Sequence, residues 1–551
     1  EGNYMFGIYR NIPFAILGGL LIYWSYQQRD KAGLKHMWLL ILLSFAFYIP
    51  VVLWSNTFPI VGALMMPKTV AYLMIVVLGY KYYIPSFERI NLLGLSFTNM
   101  IMGLFVGVFY REFTKFYHFT EANHLGKMHG HLLILGFVLM ILLYLYQIVY
   151  IAVSMFKRKV PKLPDAKKNH RYAIFISARN EKGVIGELLD SLRNQTYPDD
   201  MYDMYVVADN CTDETAEVAR QHGAIVYERF NQEEVGKGYA LNFLYHHVIE
   251  LKGEDYYEAF MVFDADNIID KNFLYEVNKT FDTGEFDAMT TYRNSKNFDE
   301  NWLTAAYSIW FMHEARHLNY PRMLLGAQCM ISGTGFVVSA KVMKDNNGWP
   351  YYLLTEDIQF SVVSTINQLK IGYCDTAILY DEQPSTWKQS WKQRMRWAKG
   401  FYQIDGKYLG DLAKGVITAK GRRLAFYDIL MTVLPAGLLT IAILGFVLWI
   451  LASAGLMPYY VRLVFQREML WFVFKTIGCL WVSLMIIGAI TVGMEWDRIE
   501  TNNWAKIKHL LLFPLFLLSY LPISIQALFT KVHWAPIEHH STEELNKKNE
   551  Q

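Results

Sequence analysis

Long apolar runs lie at both ends of this chain of 551 residues, whereas apolar and polar positions alternate over much shorter distances in its centre. A helix needs about 20 mostly apolar residues to cross the roughly 30 Å of hydrocarbon in a bilayer. The first run has no small-residue cleavage site and further runs follow it, which indicates a membrane helix rather than a cleaved signal peptide. The runs predict five membrane helices before residue 157, at about 12–27, 37–54, 58–80, 91–110 and 131–155, and three after residue 425, at about 427–453, 469–494 and 508–529.

Lys and Arg residues beside these runs predict how the helices are oriented. Basic residues follow the first, third and fifth runs, among them Arg29, Lys81 and Lys157, and the loop at 54–57 is uncharged. This alternation predicts a multi-pass protein of a bacterial plasma membrane, with its N-terminus outside and everything after Lys157 in the cytoplasm. The loop 111–130 is the exception, because it carries basic residues on the predicted outer side.

Three C-terminal helices would leave the end of the chain outside the cell. The basic, amphipathic stretch 531–534 is more typical of a cytosolic membrane interface. A broken or re-entrant helix near Pro435 or Pro514 would reconcile the two observations. We therefore expect three or four helices in the C-terminal membrane block (406–530), followed by a polar tail (531–551).

The central block, about 168–400, alternates short β-rich runs with helical patterns. This alternation is typical of βαβ units and predicts an α/β, Rossmann-like domain with a mostly parallel sheet. We assign the domain to 157–405, in the cytosol, between the N-terminal membrane block (1–156) and the C-terminal one. The predicted strands include Tyr172–Ser177, Met204–Ala208 and Phe260–Phe263, and the predicted helices include Glu181–Leu192 and Glu214–His222.

Composition narrows the class of protein further. Hydrophobic residues make up 53% of the chain and charged residues 19%, against about a quarter in a typical globular protein. This excludes a disordered chain, which needs few apolar residues and a high net charge. Lys and Arg (52) nearly balance Asp and Glu (50), so the net charge of +2 gives no basic field for nucleic acid. Four cysteines are too few for a disulfide scaffold in a chain of this length.

Polar residues follow several predicted strands, at the edge of an open α/β sheet where ligands bind. Ser177–Glu181 and Asp209 end two strands, although each of them taken alone is better explained as a loop with a capped helix. Lys237 lies between two glycines at a helix start, where backbone N–H groups favour an anion such as phosphate. Asp264 and Asp266 end a third strand. Their oxygens suit Mg²⁺ or Mn²⁺ carrying a diphosphate, with a capped turn as the alternative.

Two later motifs add a candidate base and a candidate acceptor site. Thr355-Glu356-Asp357 opens a helix, and a carboxylate in a cleft is a candidate general base for a sugar hydroxyl. Gln393-x-x-Arg396-Trp397 lies on a basic, aromatic helix. An arginine can clamp a diphosphate, and a tryptophan offers a face on which a sugar ring can stack. Anchoring beside the membrane is the alternative explanation for Trp397.

In this order, these four motifs (Asp209, Asp264-Ala265-Asp266, Thr355-Glu356-Asp357 and Gln393-x-x-Arg396-Trp397) resemble those of processive family-2 membrane glycosyltransferases. Cellulose, hyaluronan, chitin and poly-N-acetylglucosamine synthases belong to that group. The resemblance covers about 168–405 closely and the later helices loosely, and it implies that the central domain has the GT-A fold.

The resemblance implies roles for the matching residues. Ser177, Asn180 and Glu181 would line the base and ribose pocket, while Asp209 and Lys237 would contact the nucleotide. Asp266, supported by Asp264, would hold Mg²⁺ or Mn²⁺ on the diphosphate. Asp357, next to Glu356, would deprotonate the acceptor hydroxyl. The pyrophosphate and the acceptor end of the growing chain would be bound by Gln393, Arg394, Arg396 and Trp397. Gly333, Thr334 and Gly335 would form a small-residue acceptor loop, with a tight turn between strands as the alternative.

The implied reaction is inverting transfer from a UDP-sugar, for which UDP-glucose is the expected donor and UDP-N-acetylglucosamine the alternative. The product would be a β-linked exopolysaccharide carried outward through the membrane helices. Two other hypotheses stay open: a non-processive enzyme that glycosylates a lipid, and a catalytically inactive membrane scaffold. The second is disfavoured because no catalytic carboxylate is missing. The expected partners are the donor, the growing polysaccharide and the bilayer, with a homo-oligomer or an accessory membrane subunit also compatible with the sequence.

The N-terminal block adds a second resemblance, to a small bacterial membrane-protein family of unknown function, through Phe109–Lys115 and His124–His131. His118, His124, His129 and His131 lie near one predicted membrane face, where interfacial positions explain them better than a metal site does. The loop 495–507 is a candidate gating loop over the site. The short tail predicts no cyclic-di-GMP-binding module after the last helix.

Overall fold

The protein is described here by a computed structural model that covers residues 2–29, 35–54, 58–75 apart from 66, 70 and 73, 114, 147–155, 163–456, 458–532 and 539. The chain divides into two compact units. One unit comprises Glu1–Lys159 and Met457–Ile486, and the other comprises Val160–Leu456 and Ile487–Gln551.

The first unit contains two packed apolar helices, α1 (Gly2–Gln27) and α2 (Met37–Trp54). The Phe14 and Phe45 rings pack between them at a centroid distance of 5.1 Å. A short 3₁₀ helix follows at Pro59–Leu64, and 147–155 is helical. The predicted span 91–110, parts of 58–80 and 131–155, and the four histidines of this block lie outside the described residues.

The second unit is built on an eight-stranded sheet of order β3-β2-β1-β4-β7-β6-β8-β5. Its strands are β1 (Tyr172–Ala178), β2 (Tyr202–Asp209), β3 (Ile225–Arg229), β4 (Ala259–Asp264), β5 (Ile268–Ile269), β6 (Ala288–Ser295), β7 (Phe336–Ser339) and β8 (Ile371–Asp381). The neighbours β1–β2, β1–β4, β2–β3 and β6–β8 are parallel, while β7 runs antiparallel to β4 and β6, and β5 to β8. The sheet is therefore mixed, with a parallel half around β1.

Helices cover both faces of this sheet, as the buried central strands require. Side chains alternate along β1: Ala173 and Phe175 join one hydrophobic core, and Tyr172, Ile174 and Ile176 join the other. The helices of the domain are α3 (Ile185–Arg193), α4 (Thr215–Gln221), α5 (Lys237–Lys252), α6 (Phe273–Phe281), α7 (Trp302–His313), α8 (Tyr320–Leu324), α9 (Ala340–Asp345) and α10 (Glu356–Ile366), with a π-helical turn at Glu314–Asn319 between α7 and α8.

The α/β prediction for the central block is confirmed. The three predicted strands correspond to β1, β2 and β4, and the two predicted helices correspond to α3 and α4. The antiparallel strand β7 was not predicted, because a four-residue run carries little periodicity. The exact domain boundaries stay predictions.

Three long helices and three short ones follow the domain in the described part of the chain. They are α11 (Trp387–Thr418), α12 (Arg423–Leu456), α13 (Tyr459–Met494), α14 (Asn503–Lys508), α15 (Phe513–Leu518) and α16 (Tyr520–Phe529), with 3₁₀ turns at Trp496–Arg498 and His509–Leu512. By length and composition, three helical stretches of the described residues could cross a membrane: Met37–Trp54, Arg462–Met494 and Asn503–Phe529. Helix α12 could form a fourth, bent by 43° just after Pro435, where a break was expected.

Candidate functional site

The site begins at the carboxyl ends of the central strands, where parallel pairing brings polar residues together. Ser177 of β1 stands in register with Asp264 of β4 on one side and with Val207 of β2 on the other. Asp209, the last residue of β2, therefore lies at the same edge of the sheet. This is the arrangement that the strand-end argument predicts for an open α/β sheet.

Lys237 connects the strand ends to the loop that precedes β7. Its Nζ lies 2.5 Å from Asp264 Oδ1 and donates to the Gly333 carbonyl oxygen at 2.7 Å. Burial disfavours the ammonium, but the Asp264, Glu356 and Asp357 carboxylates outweigh burial and raise the pKa of Lys237. Lys237 is therefore a fixed positive charge among these carboxylates.

The start of α5 is held in place by a close approach to the backbone. A Cβ at Gly238 would lie 1.9 Å from the Tyr351 carbonyl oxygen, so a side chain at this position would push the helix start away. The glycine after Lys237 thus has a packing role. The segment also lacks the Gly-x4-Gly-Lys-Ser/Thr pattern of a Walker phosphate loop.

The predicted acceptor loop, Ser332–Gly335, bridges the two groups of carboxylates. The Gly333 N–H donates to Asp357 Oδ2 at 2.5 Å, at the start of α10. Thr334 Oγ1 accepts from the Asp264 N–H at 2.9 Å and bonds Asn267 Oδ1. The structure therefore brings together Lys237, Asp264, Gly333, Thr334 and Asp357, which the sequence analysis assigned to one site.

Glu356 and Asp357 are two neighbouring carboxyl groups, and the side chain of Asp357 is buried. Burial and the charge of Asp357 raise the pKa of Glu356 to about 7, and Lys237 and Arg396 partly oppose this. Burial also raises the pKa of Asp357, against the N–H groups of Ile358 and Gly333. A raised pKa makes the Asp357 carboxylate a better proton acceptor, as a general base requires.

A second ion pair lies beside the strand ends. Arg293 Nε donates to Asp381 Oδ2 at 2.8 Å, and Asn267 Nδ2 donates to Asp381 Oδ1 at 3.0 Å. Burial raises the pKa of Asp381 to about 6, although Arg293 opposes it. Neither Arg293 nor Asp381 was singled out from the sequence. Asp381 ends β8 as Asp264 ends β4, so a search for carboxylates at every strand end would have found it.

Asp266 is buried and has an unexpected neighbour from the C-terminal tail. His539 Nε2 lies 3.9 Å from Asp266 Oδ2, and its Nδ1 lies 3.0 and 3.1 Å from the two carboxylate oxygens of Glu181. Burial lowers the pKa of His539, but Asp266, Glu181 and Glu382 outweigh burial and raise it to about 10. A cationic ring thus stands between two predicted donor-site carboxylates. The sequence analysis missed His539, because the tail carried no pattern that points to the sheet.

These residues are compatible with a divalent cation, although they do not enclose one. Within the described part of the chain, no group of three or more His, Cys, Asp and Glu side chains is spaced to hold a metal ion. Asp266 and the His539 ring provide two potential ligands. The carboxylate–histidine contact at Glu181 is the kind that orients a metal-ligating imidazole. A metal held in this way would need further ligands from a diphosphate and water, as Mg²⁺ commonly has.

Asp209 and Asn180 occupy the far side of the strand ends. Asp209 is buried, and its Oδ1 accepts from Arg229 Nη1 at 2.7 Å. Asn180 has a left-handed backbone (φ 59°), and its Oδ1 accepts from the Thr212 N–H at 2.8 Å. The Asp209 carboxylate therefore already has a cationic partner, and its nucleotide contact stays a prediction.

Of the four residues predicted on α11, three (Gln393, Arg396 and Trp397) could serve the site, and Arg394 is bonded elsewhere. Arg396 is close enough to Glu356 and Asp357 for its charge to lower the pKa of both. Gln393 Oε1 is buried without a hydrogen-bond partner in the described structure, as expected of a group that waits for a ligand. Trp397 packs edge-on against Tyr307 and Phe311, with ring centroids 6.0 and 6.2 Å away.

Arg394 does not join this group. Its guanidinium is fully buried and donates to the Phe516 carbonyl oxygen at 2.8 Å and to Ser519 Oγ at 2.6 Å. The side chain joins α11 to α15 and to Ser519, which lies between α15 and α16. Arg394 and Arg396 are two residues apart on α11, so they face different directions. A structural role fits this geometry better than the predicted pyrophosphate contact.

Residues 170–400, which carry all the motifs described above, match the family described as "Glycosyltransferase like family 2". They are a family-2 glycosyltransferase domain. The mixed sheet with its flanking helices is the GT-A fold that the resemblance implied. A second match, over residues 90–159, is to a family described as a protein of unknown function, DUF2871, and it agrees with the resemblance noted in the N-terminal block.

Several curated relatives share the glycosyltransferase domain. A β-monoglucosyldiacylglycerol synthase of Nostoc sp. is 28% identical over 275 residues, which cover 48% of this chain and 56% of the relative. A poly-β-1,6-N-acetyl-D-glucosamine synthase of Staphylococcus epidermidis is 24% identical over 347 residues, covering 62% and 79%. The chain thus spans about half the length of the first of these relatives.

Among solved structures, the chain is similar to a mannosyltransferase from Pyrobaculum calidifontis in complex with GDP-Man and Mn²⁺. That similarity has a TM-score of 0.42 at 16% identity, and it covers 66% of this chain and 98% of the mannosyltransferase.

Proposed function

We propose that this protein is a processive, inverting membrane glycosyltransferase that polymerises a UDP-sugar into a β-linked exopolysaccharide. UDP-glucose is the expected donor. The protein would also move the product across the membrane. The supporting observation is the chain of contacts from Asp264 through Lys237 and Gly333 to Asp357. These contacts support the proposal, because they link a lysine that could meet a diphosphate to a carboxylate that could act as a base, through one residue of the loop.

Asp357 is the proposed base. It would take the proton of the acceptor hydroxyl while that oxygen attacks the anomeric carbon, and UDP would leave on the opposite side. The attack inverts an α-linked donor to a β-linked product, and no covalent intermediate with the protein forms. The elevated pKa of Asp357 favours this role, since burial makes the carboxylate a stronger proton acceptor than an exposed aspartate.

Lys237 and Arg396 are the proposed cationic partners of the departing diphosphate. Both lie close enough to the two α10 carboxyl groups to lower their pKa, so they also limit how strongly burial favours protonation there. Asp266 and His539 would hold Mg²⁺ or Mn²⁺, and this ion would stabilise the negative charge on the leaving diphosphate. His539 would have to give up a proton to ligate, because metals bind the neutral imidazole.

Two observations bear on what accepts the sugar. Gln393 and Trp397 lie on α11 in the motif that favours a polymer acceptor, together with Arg396, the cation close to Asp357. Gln393 Oε1 has no hydrogen-bond partner in the described structure. The match to the poly-N-acetylglucosamine synthase also extends over a longer part of this chain than the match to the glucolipid synthase. These observations support the polymer as the first candidate.

A non-processive enzyme that glycosylates a lipid is the second candidate. It is favoured by the higher identity to the β-monoglucosyldiacylglycerol synthase. Both candidates share the donor site and the base, so they differ in the acceptor and in the size of the product.

The experiment that separates the candidates uses the purified full chain in phospholipid vesicles containing diacylglycerol, with radiolabelled UDP-glucose and, in parallel, UDP-N-acetylglucosamine. Our proposal expects label in a high-mass product that stays in the aqueous phase and is degraded by a β-glycosidase. Label found exclusively in a small, solvent-extractable glycolipid would reject the polymer and support the second candidate.

Asp357→Asn is the test of the base. The variant should slow UDP release by about 10²- to 10⁴-fold, the usual contribution of a positioned general base, while UDP binding is retained. Asp411→Asn is the control, since Asp411 is an exposed carboxylate on α11. Full UDP release by Asp357→Asn would refute the assignment.

A further inference from the structure

Glu314 is a half-buried acid at an irregular point of the fold. It begins the π-helical turn Glu314–Asn319, which interrupts an otherwise helical segment between α7 and α8. Such wide turns are rare in proteins and are frequent at functional sites. Every other residue of the turn, from Ala315 to Asn319, is buried, so the turn belongs to the core around the site.

The Glu314 carboxylate is held against the acceptor loop. Ser332 Oγ donates to Glu314 Oε2 at 3.2 Å. The next residue of the loop, Gly333, donates its N–H to Asp357 at 2.5 Å. Two adjacent loop residues therefore each hold one carboxylate, which brings Glu314 close enough to the proposed base for the Asp357 charge to raise the pKa of Glu314.

The two nearest cations have other bonds. Arg322 forms a paired contact with Asp428, at 2.8 and 3.1 Å, and Arg293 is bonded to Asp381. Burial raises the pKa of Glu314, and the charges of Arg322 and Arg293 partly oppose this. In the part of the chain that the structure describes, Ser332 Oγ is the one hydrogen-bond donor to Glu314. A carboxylate can accept about four hydrogen bonds, so Glu314 can accept further bonds from a ligand beside the one from Ser332.

A half-buried carboxylate close to a proposed base suits a ligand rich in hydroxyl groups. The donor-side groups, Asp264 and Lys237, contact the loop at Gly333 and Thr334, whereas Glu314 contacts it at Ser332. The charge of Arg322, whose partner Asp428 belongs to α12, also acts on Glu314. Glu314 is therefore linked both to the acceptor loop and, through Arg322, to the C-terminal helices, from which a polymer or lipid acceptor would arrive.

We propose that Glu314 is a specificity-determining residue for the acceptor: its carboxylate accepts a hydrogen bond from a second hydroxyl of the acceptor, next to the hydroxyl that Asp357 deprotonates. This inference rests on the proposed function, since it names the acceptor subsite of the same reaction. The acceptor class that it fits is a polyol, either a sugar at the end of a chain or the headgroup of a glycolipid.

The test compares Glu314→Gln with the parent protein in two reactions of radiolabelled UDP-glucose. The first is hydrolysis in the absence of acceptor, and the second is transfer to a short β-linked glucose oligosaccharide. The amide keeps the shape but loses the charged hydrogen bond, so the acceptor KM should rise by about 10- to 100-fold. Hydrolysis and UDP affinity should stay within about twofold, because the donor contacts do not involve Glu314.

Glu276→Gln is the matched control. Glu276 on α6 also accepts a hydroxyl hydrogen bond, from Thr376 Oγ1 at 2.6 Å, but it packs beside β8 and away from the acceptor loop. Its acceptor KM should not change. If Glu314→Gln does not fold, Ser332→Ala removes the same hydrogen bond with less disturbance and should raise the acceptor KM by a larger factor than it changes the rate of hydrolysis.

An unchanged acceptor KM in both variants would overturn the proposal. Parallel losses of hydrolysis and transfer would overturn it as well, because they indicate a general structural role. A failure of the proposed function looks different: the parent protein would then release no UDP from any UDP-sugar, with or without acceptor.

Discussion

At the residue scale, the chemistry depends on how two consecutive acids share one environment. Glu356 and Asp357 begin α10, and burial raises the pKa of both. Each ionised carboxylate makes ionisation of its neighbour harder, and Lys237 and Arg396 reduce this cost. The pair can therefore carry a single negative charge near neutral pH, and we expect Asp357 to hold it when it acts as the base.

Glu356→Gln should move the pH dependence of catalysis. The substitution removes a neighbouring negative charge, so the pKa of Asp357 should fall and the acidic limb of the rate profile should shift to lower pH. The ratio of kcat/KM in mildly acidic buffer to that in mildly alkaline buffer should rise relative to the parent protein. Glu300→Gln, at an acid that bonds Asn297 instead, serves as the control. If the acidic limb of the pH–rate profile does not shift in Glu356→Gln, Glu356 does not influence the pKa of the base.

The same substitution should change how stability depends on pH. The folded pKa of Glu356, about 7, lies above the ordinary value of 4.5, so the folded protein binds this proton more tightly than the unfolded chain does. Its contribution is fully present below pH 4.5 and is lost as the pH rises to about 7. Melting temperatures of Glu356→Gln should therefore fall less over this interval than those of the parent protein.

Residue types and strand ends predicted only part of the site. Asp264, Lys237 and Asp357 could be assigned from the sequence, because each lies at the end of a strand or the start of a helix, where the sequence pattern is recognisable. Glu314, Arg293 and His539 could not. Their proximity to the site depends on a π turn, on strand pairing between β6 and β8, and on the return of the tail, and none of these leaves a local signature.

At the element scale, the loop before β7 depends on a glycine. Gly335 has φ 65°, and a Cβ there would lie 1.8 Å from Leu379 Cδ2 and 2.8 Å from Thr291 Oγ1. Gly335→Ala should therefore destabilise the protein by about 1–3 kcal/mol, the usual cost of overpacking, and should displace Thr334 from Asp264. The expected observations are a lower melting temperature and weaker UDP binding.

The control for this prediction separates the clash from the backbone angle. Gly284 has nearly the same φ, 67°, but its Cβ would meet no atom within 4 Å. Gly284→Ala therefore carries the backbone strain alone. Equal destabilisation by the two substitutions would show that the packing of Gly335 against Leu379 of β8 and Thr291 of β6 contributes little to the loop.

The strands that could be predicted from the sequence are those with a distinct apolar run. The strands β1, β2 and β4 are apolar runs buried on both faces, which mark them out in the sequence. Strands β5 and β7 have two and four residues, and they exist because β8, β4 and β6 provide partners. The reversal of direction at β7 is thus a property of tertiary pairing and not of its own residues.

At the scale of the whole molecule, segments after the domain are tied back to its sheet. Tyr292 Oη donates to Glu495 Oε2 at 2.8 Å, and Arg498 Nη2 lies 2.5 Å from Asp375 Oδ2. Thr501 Oγ1 adds a bond to Asp299 at 3.0 Å. The segment 495–507 is therefore fixed to β6 and β8 by buried and half-buried polar contacts. The gating role suggested by its sequence stays a prediction, and it would require these contacts to open.

The C-terminal tail contacts the domain through His539. His539 lies 358 positions beyond Glu181 in the chain, yet the two side chains are in contact at the donor edge of the sheet. His539→Ala should weaken Mn²⁺-dependent UDP binding by about 10- to 100-fold, as loss of a metal-orienting group commonly does, and leave binding without metal nearly unchanged. Calorimetric titration of UDP with and without Mn²⁺ measures both quantities. His222→Ala is the control, because His222 has a comparable contact with Asp190 at 2.8 Å on the surface. Tighter metal-dependent binding in His539→Ala would mean that the tail competes with the ion instead of helping to hold it.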